Sequence, residues 1–418
     1  MLVTFASLLL LICLLLARYL KSRRLFRRHF PLVMGSRLVY LDNAATSQKP
    51  QEVINTMVEF YSKSNAGVHR GSHQLGLAAT GEYEAARSTI AEFIGAPGRS
   101  VIITRGATHA LNEVANGLTL HPGDICLVSE AAHHSNYLPW LTAAARAGAT
   151  VVQVPWNATS IDWEIAVTCK VAVVAVHHVS HVFGTLSPVD VIRSRMHAVC
   201  PHALLVIDAC QSLPHIPVDV VELGCDVLVG SGHKMFGPTG VGFMFLSDKA
   251  LRSIRPFTIG GGSIINANGD MAEFPHCFEP GTPPVAEAVG LAAACRFIRK
   301  THATSLLHVL EEEASKLNAC TVLCDGNRRV IPLISLAFKD EMHAEDVAAL
   351  CDVDGVCVRA GNHCAALLHE RLGLRRGSLR LSCQGYNTAD EVVAAMRSVK
   401  RAVERLSKSN VYERVLLT

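Results

Sequence analysis

Three side chains sit where an α/β chain does its chemistry, directly after apolar runs or in small-residue turns. Lys234 ends Ser231-Gly232-His233-Lys234, between Val227-Leu228-Val229-Gly230 and the glycine-rich stretch Phe236 to Gly242. A lysine held between apolar strands gives up its proton more readily and can condense with an aldehyde as a Schiff base. Its plainer role is that of a snorkelling or phosphate-binding lysine, and the glycines around it do not follow the GxxxxGK[ST] order of a nucleotide loop. Asp208 closes Leu204-Leu205-Val206-Ile207, and Gln211 follows three residues later. A carboxylate there is partly buried and needs a cationic partner, although a helix cap fits the local pattern equally well. Cys364 ends Arg359-Ala360-Gly361-Asn362-His363-Cys364, where nearby positive charge would favour the nucleophilic thiolate. Most cysteines are inert small hydrophobes. Two further features suit anions. Gly260-Gly261-Gly262-Ser263 and Glu279-Pro280-Gly281-Thr282 offer backbone amides, and Arg380 lies among apolar neighbours where a carboxylate ligand would bind.

The elements that must position these residues follow a β-α rhythm. Apolar runs at 101–103, 125–128, 171–176, 204–207 and 227–229 read as strands buried on both faces, which suits a mostly parallel sheet. Helical patterns at 51–64, 82–94, 107–118, 138–147 and 189–199 lie between or before them. A long Ala-rich helix at 285–299 leads into a tail of helices near 304–318, 344–350 and 389–406, interleaved with strands. The 418 residues, 50% of them hydrophobic, fill a large and a small domain. We divide the chain into 1–36, an N-terminal hydrophobic segment; 37–284, the large domain, with 37–60 packing on the small one; and 285–418, a linking helix and the small α+β domain that carries the Cys364 loop. The net charge of +3 argues against nucleic acid as a partner. The 14 cysteines form no CxxC pair and the 20 histidines no HExxH, so free thiols and no metal site are expected.

Residues 2–17 are almost unbroken apolar sequence, followed by Arg18, Lys21, Arg23, Arg24, Arg27 and Arg28. Crossing about 30 Å of hydrocarbon takes about 20 residues, so residues 1–20 make a marginal span. With the basic cluster on its C-terminal side, the positive-inside tendency predicts a membrane anchor with the body of the chain in the cytoplasm. The alternative is targeting to an organelle, mitochondrion or plastid, since no Asp or Glu precedes Asp42.

Taken in order, these segments resemble the class V group of fold-type I pyridoxal-phosphate (PLP) enzymes, and within it the SufS-like (group II) cysteine desulfurases. The likeness runs from about residue 37 to about residue 406. It rests on Tyr40-Leu41-Asp42-Asn43-Ala44-Ala45-Thr46, Val68-His69-Arg70-Gly71, Thr104-Arg105-Gly106-Ala107-Thr108, His133-His134-Ser135-Asn136, Asp208-Ala209-Cys210-Gln211 and the lysine, Glu279 and cysteine segments quoted above. The resemblance implies an α/β fold of type I with a seven-stranded, mostly parallel sheet. It implies that Lys234 carries PLP, that Asp208 pairs with the pyridine nitrogen, that Gln211 contacts the ring hydroxyl and that His133 stacks on the ring. Thr108, Ser231 and His233 would bind the phosphate, with Thr282 reaching in from the other subunit of a homodimer. Arg380 would bind the substrate carboxylate, with Arg359 and His69 at the substrate mouth. Cys364 would take sulfur from L-cysteine as a persulfide, leaving L-alanine and passing the sulfur to a SufE-like acceptor, as in iron–sulfur cluster assembly. A selenocysteine lyase or related class V lyase acting on L-selenocysteine is the nearest alternative, and an inactive membrane-tethered binding protein of the same fold is another. The chain departs from the family pattern at Ala132, where an acid is usual, at His181 in place of Asn, and at Asn362 in place of a second His.

Overall fold

β-Branched and other apolar runs pair here because two covering layers of helices hide both faces of the sheet they form. The computed structural model describes residues 26–97, 100–155, 170–266, 268–300, 306–339 and 342–416. The large sheet comprises β1 (Val101–Thr104), β2 (Asp124–Ser129), β3 (Thr150–Val154), β4 (Lys170–His177), β5 (Leu204–Asp208), β6 (Val227–Ser231) and β7 (Gly242–Leu246). Its order is β1-β7-β6-β5-β4-β2-β3, parallel throughout except for β7, which runs antiparallel to both neighbours. β3 and β7 were absent from the sequence-based expectation. β3 is an edge strand with a half-exposed pattern, and β7 follows glycines that usually mark loops.

Helices α1 (Gln51–Lys63), α2 (Gln74–Phe93), α3 (Ala107–Gly117), α4 (Leu138–Ala147), α5 (Val189–Val199) and α6 (Val285–Lys300) surround this sheet. Tyr83 and Ile90 of α2, Ile192 of α5 and Leu291 of α6 bury one face, and Leu111 of α3 and Trp140 of α4 bury the other. α6, expected as a link to the tail, packs on α1 and α2. Its alanines let it lie close against them. A buried network ties the same region together. The Arg87 guanidinium donates to Glu279 through Nη1 and Nη2 at 2.5 and 2.8 Å and to Glu84 through Nε at 2.9 Å, while Ile103 N donates to Glu279 Oε1. Burial works against the Arg87 charge, but Glu279 holds it firmly protonated. Glu279→Gln is therefore expected to lower unfolding stability by about 3–5 kcal/mol in urea titration, since it leaves a buried cation short of its counter-charge. An unchanged midpoint would contradict this.

The second sheet, β8 (Cys320–Val322), β9 (Leu333–Phe338), β10 (Arg359–Gly361) and β11 (Ser378–Ser382), is antiparallel in the order β10-β11-β9-β8. α7 (Leu307–Ser315), α8 (Ala344–Val353), α9 (Ala366–Arg371) and α10 (Ala389–Leu416) accompany it, and Leu310, Val347 and Val399 close its core around Ile334 and Leu381. Leu41 is buried in this core, and Val39–Tyr40 pairs in parallel with Val356–Cys357. The segment before α1 thus packs on the small domain, and Val53 of α1 shares a buried cluster with Tyr386.

The N-terminal expectation needs correction. Among the described residues no helix is long and apolar enough to cross a membrane, which overturns the membrane-anchored placement. The apolar run at 2–17 that carried it lies outside the described residues. Arg27, read as part of a basic membrane flank, is used inside the fold: Nη1 lies 2.7 Å from Glu391 Oε1 and donates to the Tyr386 carbonyl, and Nη2 donates to the Val33 carbonyl. Phe30 is fully buried against Tyr386, Phe236 and Phe297, so the folded body includes residues assigned above to the N-terminal segment.

Candidate active site

Side chains leaving the carboxyl ends of parallel strands converge on one crevice, and here it has a volume of about 450 Å³. β4 delivers His177, β5 delivers Asp208 and β6 delivers Ser231 to its floor. Crowding at this floor requires glycine. A Cβ on Gly242 would stand 2.5 Å from the Gly230 carbonyl oxygen and 2.6 Å from Gly106 Cα, so the β6–β7 ladder and the start of α3 touch backbone to backbone. That approach lets Ser231 Oγ accept a hydrogen bond from Ala107 N at 3.0 Å and fixes the amino end of α3 over the crevice. Thr108 stands there with its hydroxyl 2.8 Å from that of Ser135. Hydroxyls and a helix amino terminus are a cradle for a phosphate dianion.

Lys234 ends a single 3-10 turn, Gly232–Lys234, and lines the crevice. The turn is pinned through the His233 carbonyl, which accepts from Thr46 Oγ1 (3.0 Å), Ser47 Oγ (3.2 Å) and Lys49 Nζ (2.8 Å). Burial pushes Lys49 down to about 8. Asp208 caps a turn rather than a helix, its Oδ1 accepting from Cys210 N at 3.0 Å, and its buried side chain lines the crevice. Gln211 also lines it, its amide held by the Ala44 carbonyl. His133 presents its ring from the opposite wall, its Nδ1 accepting from Ser135 N at 3.1 Å. Burial, then the charge of Lys234, pushes His133 down to about 4.

The small domain supplies the rest. Arg380 on β11 is almost wholly buried, and burial pulls it down to about 10. Its Nη1 donates to the His181 carbonyl at 2.9 Å, its Nη2 lies 3.7 Å from Asp42 Oδ1, and its Nε has no partner among the described residues. Arg359 on β10 reaches the same Asp42. Cys364 is exposed on the turn between β10 and α9, where His363 and Cys364 both take left-handed φ values, 52° and 59°. Non-glycine residues occupy that region only when something holds them there. The holding contacts are visible: His134 N donates to the Cys364 carbonyl at 2.8 Å, Ala366 N donates to His134 Nε2, and Cys364 N donates to Asn362 Oδ1. Asn362, a departure from the family pattern, thus caps the amide of the cysteine itself. His363 is braced from behind, Nε2 lying 3.0 Å from Ser378 Oγ, which is also 3.0 Å from His369 Nε2.

The crevice therefore gathers every sequence-predicted site residue except His69 and Thr282. Those two line a separate cleft of about 480 Å³ with His276. His69, His276 and Glu84 offer ligand atoms within 4.8 Å of one another, but the Glu84 carboxylate already accepts from Arg87, which makes it a poor metal ligand. Sequence reasoning missed Asp42, Lys49 and His134 as site residues. Asp42 and His134 stood inside quoted motifs, while nothing local to Lys49 marks its role.

Several buried histidines share one consequence. His133, His178 and His233 are each pushed by burial from 6.5 to about 4. A histidine that binds its proton less well folded than unfolded makes the unfolded chain take up protons as the pH falls through 6.5 towards 4, so stability falls with it. At about pH 5 each is expected to cost on the order of 1–2 kcal/mol. Melting scans should give a lower Tm near pH 5 than near pH 8, and an equal or higher one would contradict the burial of these rings.

An amine for an aldehyde, a carboxylate at the floor, a ring wall and a hydroxyl-lined helix end are the donor set that PLP needs, and they fit it. The Aminotransferase class-V family profile matches residues 39–394. The chain belongs to this family. A probable cysteine desulfurase of Vibrio cholerae is 38% identical over 404 residues, covering 91% of this chain and 98% of its own. One from Synechocystis is 37% identical, covering 91% and 96%. Among solved structures, the apo cysteine desulfurase of Thermococcus onnurineus superposes with a TM-score of 0.83 at 31% identity, covering 90% of this chain and 97% of its own. An Escherichia coli cysteine desulfurase in its S-sulfonic acid form gives 0.81 at 33%, covering 91% and 98%. As a class-V aminotransferase-type enzyme the chain uses pyridoxal 5'-phosphate, and the seven-stranded sheet with its small domain is fold type I.

Proposed function

We propose that this chain is a PLP-dependent cysteine desulfurase of the SufS-like branch, in which Cys364 removes sulfur from L-cysteine and leaves L-alanine. The observation that carries this reading is the meeting of Lys234 from the large domain with Cys364 and Arg380 from the small one across a single crevice. When bound, the cofactor supplies an electron sink that loosens the bonds at the substrate Cα and Cβ. Lys234 Nζ would anchor it and could hold the Cα proton. Asp208 would hold the pyridine nitrogen, and Gln211 would meet the ring hydroxyl. His133, its proton affinity lowered by burial, would offer its ring as a stacking surface for the cofactor. Ser231, Thr108 and His233 hold the phosphate. Arg380 takes the substrate carboxylate, and Arg359 stands at the mouth.

Cys364, as thiolate, attacks the substrate sulfur. The new S–S bond forms as the substrate C–S bond breaks, the carbon takes a proton, and Cys364 is left as a persulfide. The exposure of Cys364 at the crevice rim suits onward transfer to a thiol of a SufE-like acceptor protein.

The placement of His69 and Thr282 outside the crevice supports a homodimer in which each subunit completes the site of the other. Exposed Phe257, Ile259 and Ile265, in the segment that flanks Gly261 and Gly262 of that cleft, add apolar surface for such an interface. Mixing Thr282→Ala chains with Lys234→Ala chains is expected to restore alanine production, because one site per heterodimer is then intact. Absence of rescue in a verified heterodimer would reject Thr282 as a residue acting across subunits. The activity itself is tested by alanine and sulfide production from cysteine with reductant. If neither product appears in cofactor-loaded protein, the desulfurase reading fails.

A further inference from the structure

Arg359 and Arg380 bring two guanidinium charges to the mouth of the crevice, and one carboxylate of the chain already stands between them. Arg359 Nε donates to both oxygens of Asp42 at 3.1 Å, its Nη2 donates to Oδ2 at 2.9 Å, and Arg380 Nη2 lies 3.7 Å from Oδ1. The Asp42 side chain is mostly buried, and its backbone is fixed by the turn that follows it, with Ala45 N and Thr46 N donating to its carbonyl. Its position is thus set independently of the arginines. Among the described residues Arg380 Nε–H, buried, has no partner, so the pair is not saturated. Two positive charges and one negative leave room for one more carboxylate.

We infer that Asp42 is a positioning residue that acts as a built-in competing anion, orienting Arg359 and Arg380 while weakening their hold on the α-carboxylate of bound amino acids. This rests on the reading that Arg380 takes the substrate carboxylate. Substrate cysteine and product alanine carry the same carboxylate, so surplus attraction would tighten both alike, without favouring the transition state, and would slow product departure. A fixed carboxylate 3–4 Å from the guanidinium groups opposes that attraction through Coulomb repulsion of the incoming group.

Asp42→Asn keeps the shape and removes the charge. In the cofactor-loaded full chain, alanine binding followed by the absorption change of the bound cofactor is expected to tighten by about tenfold. The KM for cysteine should fall in parallel and kcat should fall, while binding of cysteamine, which has no carboxylate, stays within about twofold. Asp42→Glu, which restores the charge, should return alanine binding towards that of the native protein. Unchanged or weaker alanine binding in Asp42→Asn overturns the inference, as does equal tightening of cysteamine. Arg380→Ala separates the two layers: if it leaves alanine binding unaltered, the carboxylate subsite itself is wrong and the inference falls with it. If it weakens alanine binding while Asp42→Asn does not tighten it, the inference alone fails.

Discussion

Cys364→Ala is expected to stop sulfur release from cysteine, by on the order of 10³-fold or more, while the absorption of the bound cofactor and the melting temperature stay as they were. The expectation of an intact fold follows from the contacts of that residue. Its thiol is exposed, and the bonds that hold its turn run through its own carbonyl and amide to His134 and Asn362, which alanine retains. Alanine also tolerates φ of 59° no worse than cysteine does, since both carry a Cβ. What disappears is the exposed thiol of the crevice; Cys210, the other thiol lining it among the described residues, is buried. Serine at the same position keeps size and polarity but lacks the soft nucleophile, and should be equally inactive. Turnover of either variant within about tenfold of the native protein would remove Cys364 from the mechanism and favour a lyase that releases sulfide directly.

Lys234→Ala should abolish covalent attachment of the cofactor, seen as loss of the characteristic visible band after gel filtration, and lower turnover by roughly 10²–10⁴-fold. Here too the surroundings predict a local effect. The turn that presents Lys234 is held by Met235 N donating to the Gly232 carbonyl and by the donors on the His233 carbonyl, none of which uses the lysine side chain. Lys234→Arg is the sharper control, because it preserves positive charge beside His133 while removing an amine that can lose its proton and bond to carbon. A retained band in both variants would move the attachment point elsewhere, with half-buried Lys49 the next amine to test because burial lowers it to about 8.

The strand residues were legible because parallel strands buried on both sides read as continuous apolar runs, and Asp208 and Lys234 were conspicuous as polar groups ending them. β7 was not, since its apolar stretch directly follows Gly237, Gly240 and Gly242, residues that signal loops until one sees that Gly242 is needed for contact with Gly106. Arg27 was misread for a related reason. Its basic neighbours and the apolar run before them form a membrane pattern in one dimension, whereas its partner Glu391 lies hundreds of residues away. Asp42 sat in plain view within a recognised motif, but nothing in a linear string places it against Arg359 and Arg380.

The sequence by itself determined which chemistry was available: a lysine after a buried strand, a carboxylate ending another, a thiol beside an arginine, and the apolar periodicity that makes a covered sheet. Those are local properties, set by side-chain type and by the period at which hydrophobic residues recur. Tertiary structure decided the relations among them. The small domain brings Cys364 and Arg380 over Lys234, the backbone of 359–364 is bent into a strained turn that His134 and Asn362 hold, and His69 and Thr282 are left outside the crevice. Such relations depend on loop closure over long stretches of chain and on hydrogen bonds between distant segments, and no residue carries a local mark of the partner that the fold will give it.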